Sequence, residues 1–279
     1  MKCHFLKFSC SLLSFVFLPV FSAQSQYVIL KNNIVKNAKV KSQTIRQYDY
    51  AEGKMSANGI INRYAEFDQT GNRLTEYIYN QDGSIYSKYI YIYDEKGREI
   101  EKQRYESDSI LTDKMTKRYD GKSRLKESVL YGQDGTVRQK RVPAYNRKGL
   151  RTEEKMLNGS GELIMTYSFK FDKAQNEIEM QSINPDGTLL EKDIRGYDDK
   201  GNKSDDTIYF ANAGVQGRYH YVYDESGNVT EETLFDSGNK RVYRYQFLYD
   251  DLGLLKEETH FNDADRPVVL YKYEYDFFK

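Results

Sequence analysis

Side chains able to move a proton or hold a metal are scarce in this 279-residue chain. Beyond the first 25 residues the only histidines are His220 and His260, and neither has a metal-ligand spacing to a second candidate. Both read as solvent-facing strand residues. Carboxylates adjoin at Glu153-Glu154, Glu231-Glu232 and Glu257-Glu258, a residue type that serves glycoside hydrolysis. Neighbours along a strand face opposite sides, so such a pair cannot flank one bond. Glu231 and Glu257 hold the same repeat position, but equivalent strands of a meander lie about 10 Å apart, beyond the roughly 6.5–9.5 Å of an inverting pair. The chain has no phosphate-cradling glycine loop, no Gly-x-Ser-x-Gly elbow and no calcium loop. No catalytic residue, cofactor or metal is predicted, and the chain reads as a non-enzyme.

The remaining side chains with chemistry to offer are aromatic. Tyr89, Tyr91 and Tyr93 alternate along one segment, as do Tyr219, Tyr221 and Tyr223, and then Tyr245, Phe247 and Tyr249. Alternation places each set on one face of a strand. These nine are the candidate ligand-facing aromatics, because rings can stack on a sugar; packing in a core is the competing use of the same stripes. The chain has 26 Tyr and no Trp, which weakens the sugar reading.

The elements that position these stripes follow from a repeat. An aromatic residue followed by Asp or Asn recurs nine times, from Phe67-Asp68 to Tyr275-Asp276, each step being 26 residues without insertion or deletion. Four residues past the aromatic stands Gly in Gly71, Gly97, Gly149, Gly201, Gly227 and Gly253, with Ser123 and Gln175 as exceptions. A second turn signal lies further on, best formed in Asp82-Gly83, Asp134-Gly135 and Asp186-Gly187. Two turns per 26 residues leave two extended segments, and the second of these ends on Tyr79, Tyr105, Tyr131, Leu157, Ile183, Tyr209, Phe235 and Phe261. Two charged columns keep the beat: Glu101, Glu127, Glu153, Glu179, Asp205, Glu231 and Glu257, and Lys88, Lys114, Lys140, Lys192, Arg218 and Arg244. Cross-strand pairing between them, worth roughly 0.2–1 kcal/mol per pair, would fix register and keep the surface wet. The expected fold is all-β: an antiparallel hairpin-repeat sheet, strongly twisted or spirally coiled, each hairpin covering the edge of the last.

The ends depart from the period. Residues 1–25 have a short basic start, an apolar run over 12–21 and small residues at Ala23 and Ser25, the pattern of a secretory signal. Cys3 and Cys10 both fall in it, so the mature chain is expected to have no disulfide. Residues 26–60 read as an atypical N-terminal cap or leader, and 61–279 as the repeat domain. The chain stops just after its last Tyr-Asp, which predicts a final strand with an open edge. No later stretch is apolar enough for a spanning helix of about 20 residues, so no transmembrane segment is expected. With Lys2 and Lys7 removed the net charge is near −2, no draw for nucleic acid.

The Tyr-Asp-x-x-Gly units, best seen in Tyr93-Asp94-Glu95-Lys96-Gly97, Tyr223-Asp224-Glu225-Ser226-Gly227 and Tyr249-Asp250-Asp251-Leu252-Gly253, resemble the Rhs/YD-repeat group of bacterial secreted and surface proteins over about residues 45–279. The family's units are usually shorter, and its core sequence and C-terminal toxin domain are not visible. The resemblance implies a spiralled, solenoid-like β-sheet in the periplasm or at the cell surface of a Gram-negative bacterium. The functional expectation is a protein-interaction or structural module of the envelope whose partner is an unidentified protein. The alternative is a carbohydrate-binding protein using the Tyr rows, and a toxin-associated shell fragment ranks third.

Overall fold

The computed structural model describes residues 32–279. The proposed signal sequence lies outside them. A six-residue helix, α1 (Asn32–Asn37), leads into β1 (Val40–Ala51), the two-residue β2 (Lys54–Met55) and β3 (Ile60–Phe67). The regular units then supply β4 (Arg73–Tyr79), β5 (Ile85–Tyr93), β6 (Glu99–Glu106), β7 (Ile110–Tyr119), β8 (Leu125–Gly132), β9 (Val137–Tyr145), β10 (Arg151–Asn158) and β11 (Leu163–Phe171). They continue through β12 (Glu177–Ile183), β13 (Leu189–Tyr197), β14 (Lys203–Phe210), β15 (Gly214–Tyr223), β16 (Val229–Asp236), β17 (Arg241–Tyr249), β18 (Leu255–Phe261) and β19 (Pro267–Phe277).

The 26-residue beat is a turn chemistry repeated at both ends of the hairpins, with the β6–β7 and β14–β15 turns as exceptions. At the Tyr-Asp end, the Asp94 amide donates to the Arg98 carbonyl at 3.0 Å and the Gly97 amide to the Asp94 carbonyl at 2.9 Å. Asp94 Oδ1 accepts the amides of Lys96 and Arg98. Gly97 sits at φ +72°, and Ser123 and Gln175 take the same left-handed conformation at +62° and +72° without being glycine. Each turn is followed by a register shift that leaves one residue unpaired, as with Leu74 between Arg73 and Thr75. Such bulges bend the strand and raise its twist.

The conserved beat of Tyr then has a specific partner. Seven tyrosine hydroxyls donate to the carbonyl of the residue 20 positions earlier, from Tyr93 to Arg73 at 2.9 Å through Tyr119, Tyr145, Tyr197, Tyr223 and Tyr249 to Tyr275, which reaches Leu255 at 2.7 Å. In each case the acceptor is the first residue of the preceding strand, beside the bulge, where the ladder leaves that carbonyl free. Burial raises the hydroxyl pKa of Tyr93, Tyr119, Tyr145, Tyr197, Tyr249 and Tyr275, that of Tyr93 up to about 12 with Glu99 adding to it, so they remain donors.

The sheet is not open. Strand β3 pairs with β1 (Thr44 opposite Tyr64), every later strand pairs with the next, and β19 pairs with the other side of β1 from Gln43–Tyr275 to Asp49–Val269. The result is a closed antiparallel barrel of 18 strands, with β2 attached to β1 alone. This corrects the expected open spiral, the solenoid implied by the YD-repeat resemblance and the free C-terminal edge: the irregular strand β1 covers both edges at once. The expectation of no transmembrane segment is withdrawn as well. It rested on helix length, and although no helix among the described residues is long and apolar enough to span, closed barrels are the form in which strands cross bilayers.

Three apolar groups lie on the inner face, one of them around Met156, Met165, Tyr167 and Phe169. Ile45, Tyr221, Val229, Phe247, Leu255 and Tyr273 form one cluster along β15–β19 and β1. At the Tyr-Asp end, Val35 of α1 and Val40 pack with Ala65, Phe67 and Leu254, so the helix covers part of that rim. Thr44 and Glu274 stand directly opposite each other on β1 and β19, within cross-linking reach for antiparallel neighbours. A T44C/E274C double variant of the chain is therefore expected to form an intramolecular disulfide under oxidising conditions, read by a gel-mobility shift; a reduced protein that stays uncross-linked would contradict closure.

Candidate functional site

Strand parity sorts every side chain onto the outer wall or into the lumen. The outer wall carries the two charged columns found in the sequence, now adjacent: Arg244 lies 3.1 Å from Glu231, Lys114 4.0 Å from Glu101, and Lys140 pairs with Glu127. The cations also lie over the aromatic residues that end the second segment, Lys192 5.1 Å from the Tyr209 ring centre and Arg244 4.0 Å from that of Phe261. His220 belongs to this wall, exposed, with Nδ1 3.1 Å from Asp205.

All nine predicted aromatics face inward. Tyr89, Tyr91 and Tyr93 lie on β5, Tyr219, Tyr221 and Tyr223 on β15, and Tyr245, Phe247 and Tyr249 on β17. The β15 and β17 sets converge in the core cluster, where Tyr221 and Phe247 are each only 3% exposed. Tyr91 bonds Glu76 at 2.8 Å. These nine therefore form no platform on the outer wall. His260, expected to face solvent, is also internal: it stacks on Tyr245 with ring centres 3.9 Å apart and bonds Glu258 at 2.5 Å.

A column of inward carboxylates went unrecognised in the sequence. It lies nine residues past the repeat aromatic, at Glu76, Glu154, Asp206, Glu232 and Glu258, and all five are buried. The adjacent outward column masked it, since the bulge after each turn shifts the parity by one residue. A signal was available in the basic residue three positions before: Arg73, Arg151 and Lys203 reach Glu76, Glu154 and Asp206 at 2.9, 3.0 and 3.0 Å. Burial opposes the ionisation of Glu76, but Arg73 and Arg63 outweigh it and hold its pKa below the usual range. Glu232 has Tyr243 as a donor rather than an arginine; burial, with Glu258 adding, pushes it up to about 7.

Between β6 and β16 the inner wall surrounds a cavity of about 1640 Å³. Its charges are uneven. The β6–β10 arc has five basic side chains (Arg104, Lys117, Arg138, Arg141 and Arg151) against the acids Glu106, Asp113 and Glu154. The β12–β14 arc has four acids (Glu177, Glu191, Asp193 and Asp206) against Arg195 and Lys203. Between the arcs β11 presents Tyr167 and Phe169, packed with Met156 and Met165. Burial, then Asp206 and Glu191, push the Asp193 carboxyl up to about 7 despite Arg195 and Lys203. Among the described residues no three His, Cys, Asp or Glu side chains converge as metal ligands.

No family model matches this chain, and no curated protein does. Among solved structures, a porin-like protein from Bacteroides uniformis superposes with a TM-score of 0.45 at 11% identity, covering 85% of this chain and 98% of that one. A porin-like protein from Bacteroides vulgatus gives 0.38 at 11% identity, over 68% of this chain and 94% of that one. The TcdB2-TccC3 complex gives 0.31 at 13% identity, over 81% of this chain but 15% of that one. Likeness at this level carries no activity across. The expected scaffold role is corrected by the barrel itself: ring closure removes the open edge that favoured it, and the nine aromatics offered to a sugar line the inner wall instead.

The raised pKa of Asp193 makes a testable contribution to stability. The folded state holds its proton more tightly than the unfolded chain, so this residue's stabilisation is complete at acid pH and is lost as pH rises from about 4 towards 7. D193N is expected to be more stable than the parent at pH 8 by roughly 1–3 kcal/mol, and to lose that advantage at pH 4.5, measured by urea unfolding at both pH values.

Proposed function

We propose that the protein is a solute-handling barrel of the bacterial envelope, with a transport-class role exercised through its lumen. The observation that carries this reading is the closure of the ring, which turns the inward columns into the lining of one cavity of about 1640 Å³ with separate basic and acidic arcs. Such a lining suits small polar or dipolar solutes. The secretory pattern at residues 1–25 supports export, and a Gram-negative envelope is the setting.

Within that envelope the outer wall bears on position. Lipid-facing barrel surfaces have an apolar band about 25 Å tall, and each Lys or Arg at the bilayer midplane costs roughly 2–4 kcal/mol. Here Lys–Glu rows run around the outer wall. Partition between outer-membrane and soluble fractions, with and without alkaline extraction, assigns the compartment.

The test of the lumen itself is access. Met180 lines the cavity, and a cysteine there is expected to react with small methanethiosulfonate reagents but not with a polymer-linked maleimide, whereas K155C on the outer wall takes both. Failure of M180C to react with any reagent in the folded protein would exclude a solute-accessible lumen. Equal reaction with the polymer reagent would show that the wall is open.

A further inference from the structure

The acidic arc of the cavity is under-supplied with donors. Asp206 uses Oδ2 for Lys203 at 3.0 Å and Arg195 at 3.5 Å, and Asp193 uses Oδ2 for Arg195 at 3.6 Å. Arg195 is shared further with Glu177. The second oxygen of each aspartate, Asp193 Oδ1 and Asp206 Oδ1, is buried with no hydrogen-bond partner among the described residues. The two residues are only 8% and 9% exposed, and both border the cavity. Leaving a buried acceptor unmade costs about 1–3 kcal/mol, and more when it is charged. Two neighbouring carboxylates with such an oxygen each are a stronger demand than either alone.

Other candidates carry less. The Glu258–His260–Tyr273 network is closed on itself, with both carboxylate oxygens bonded. The exposed apolar side chains Ile92, Val222 and Leu248 on the outer wall have nothing seated on them, and α1 is too short to be a site.

The missing donor has a definable chemistry. Four carboxylates, those of Glu177, Glu191, Asp193 and Asp206, stand against the two cations Arg195 and Lys203, so the arc favours positive charge. The non-polar groups beside it are Met180, Ile208 and the Tyr219 ring, all on the same cavity wall. Tyr219 is close enough for Asp206 and Asp193 to raise its pKa after burial has done so. We infer that this arc is a binding site for a small organic primary amine, its ammonium donating to Asp193 Oδ1 and Asp206 Oδ1 and its apolar body lying on Met180 and Tyr219. An ammonium has three donors and no acceptor, which matches a site of acceptors, and its charge gains from an aromatic face. A metal ion fits less well, because Arg195 and Lys203 already occupy the oxygens on one side.

This inference rests on the lumen reading and names the solute class for it. Isothermal titration of the purified protein with benzylamine tests it, with benzyl alcohol and potassium chloride as probes of the ring and the charge alone. Benzylamine is expected to bind, and the other two to give at least tenfold weaker binding. D193N and D206N are each expected to weaken benzylamine tenfold or more with circular dichroism unchanged, and D205N, on the outer wall, to leave it within twofold. Should either inner variant fail to fold, E191Q serves in its place, with a threefold or greater loss expected. No binding by the parent, equal binding of benzyl alcohol, or parent-like affinity in the inner variants would each overturn the site. If M180C reacts with small reagents while benzylamine does not bind, the lumen reading stands and only the amine site falls; if M180C is inert, both fall.

Discussion

Strand β1 lies between β3 and β19 and pairs along both, and the rest of the molecule depends on that double pairing. A repeat of hairpins satisfies every internal edge but leaves two terminal ones exposed, each a row of unpaired amides and carbonyls. One additional strand of 12 residues, outside the repeat period, satisfies both rows. Closure also decides what an inward side chain is. On an open coil the Tyr and carboxylate columns would border a groove continuous with solvent, whereas in a ring they share a restricted space and their charges must be balanced there.

That balance is made unit by unit and not everywhere completed. Glu76 and Glu154 each have two arginines. Asp206 shares its cations with neighbours, and Glu232 and Glu258 are met by tyrosine and histidine. Buried charges remain ionised only where partners offset the loss of water. The supply of cations is thus graded along one repeat position, from two arginines at Glu76 and Glu154 to a tyrosine at Glu232.

The sequence made the hairpins, both turn types and the strand alternation legible, because each is set by local chemistry: Asp accepting amides within its own turn, Gly taking a positive φ, and Tyr alternating along a strand. Closure was not legible. An open coil and a ring have the same local pattern, and the deciding contacts, such as Ser42 to Asp276 at 2.7 Å, join residues 234 apart. The single hint was the stretch before residue 60, whose broken period marks a strand with two different neighbours. The inner carboxylates were hidden for a smaller reason. Counting in twos from the aromatic fails at the bulge after each turn, so the outward Glu153 was noticed and the inward Glu154 was assigned no role.

The order of strands along the chain has a temporal side. Among the described strands the one that seals the ring comes first in the chain, and its second partner, β19, follows all the others. Through nearly the whole of synthesis and export, β1 has one edge without its mate, and hairpins added one by one extend a sheet that is still open. Pairings so distant in sequence form slowly, and unsealed edges attract other chains. A cell making this barrel must therefore shield a growing sheet until β19 arrives, and a chain lacking β19 would lose the seal while keeping almost every hairpin.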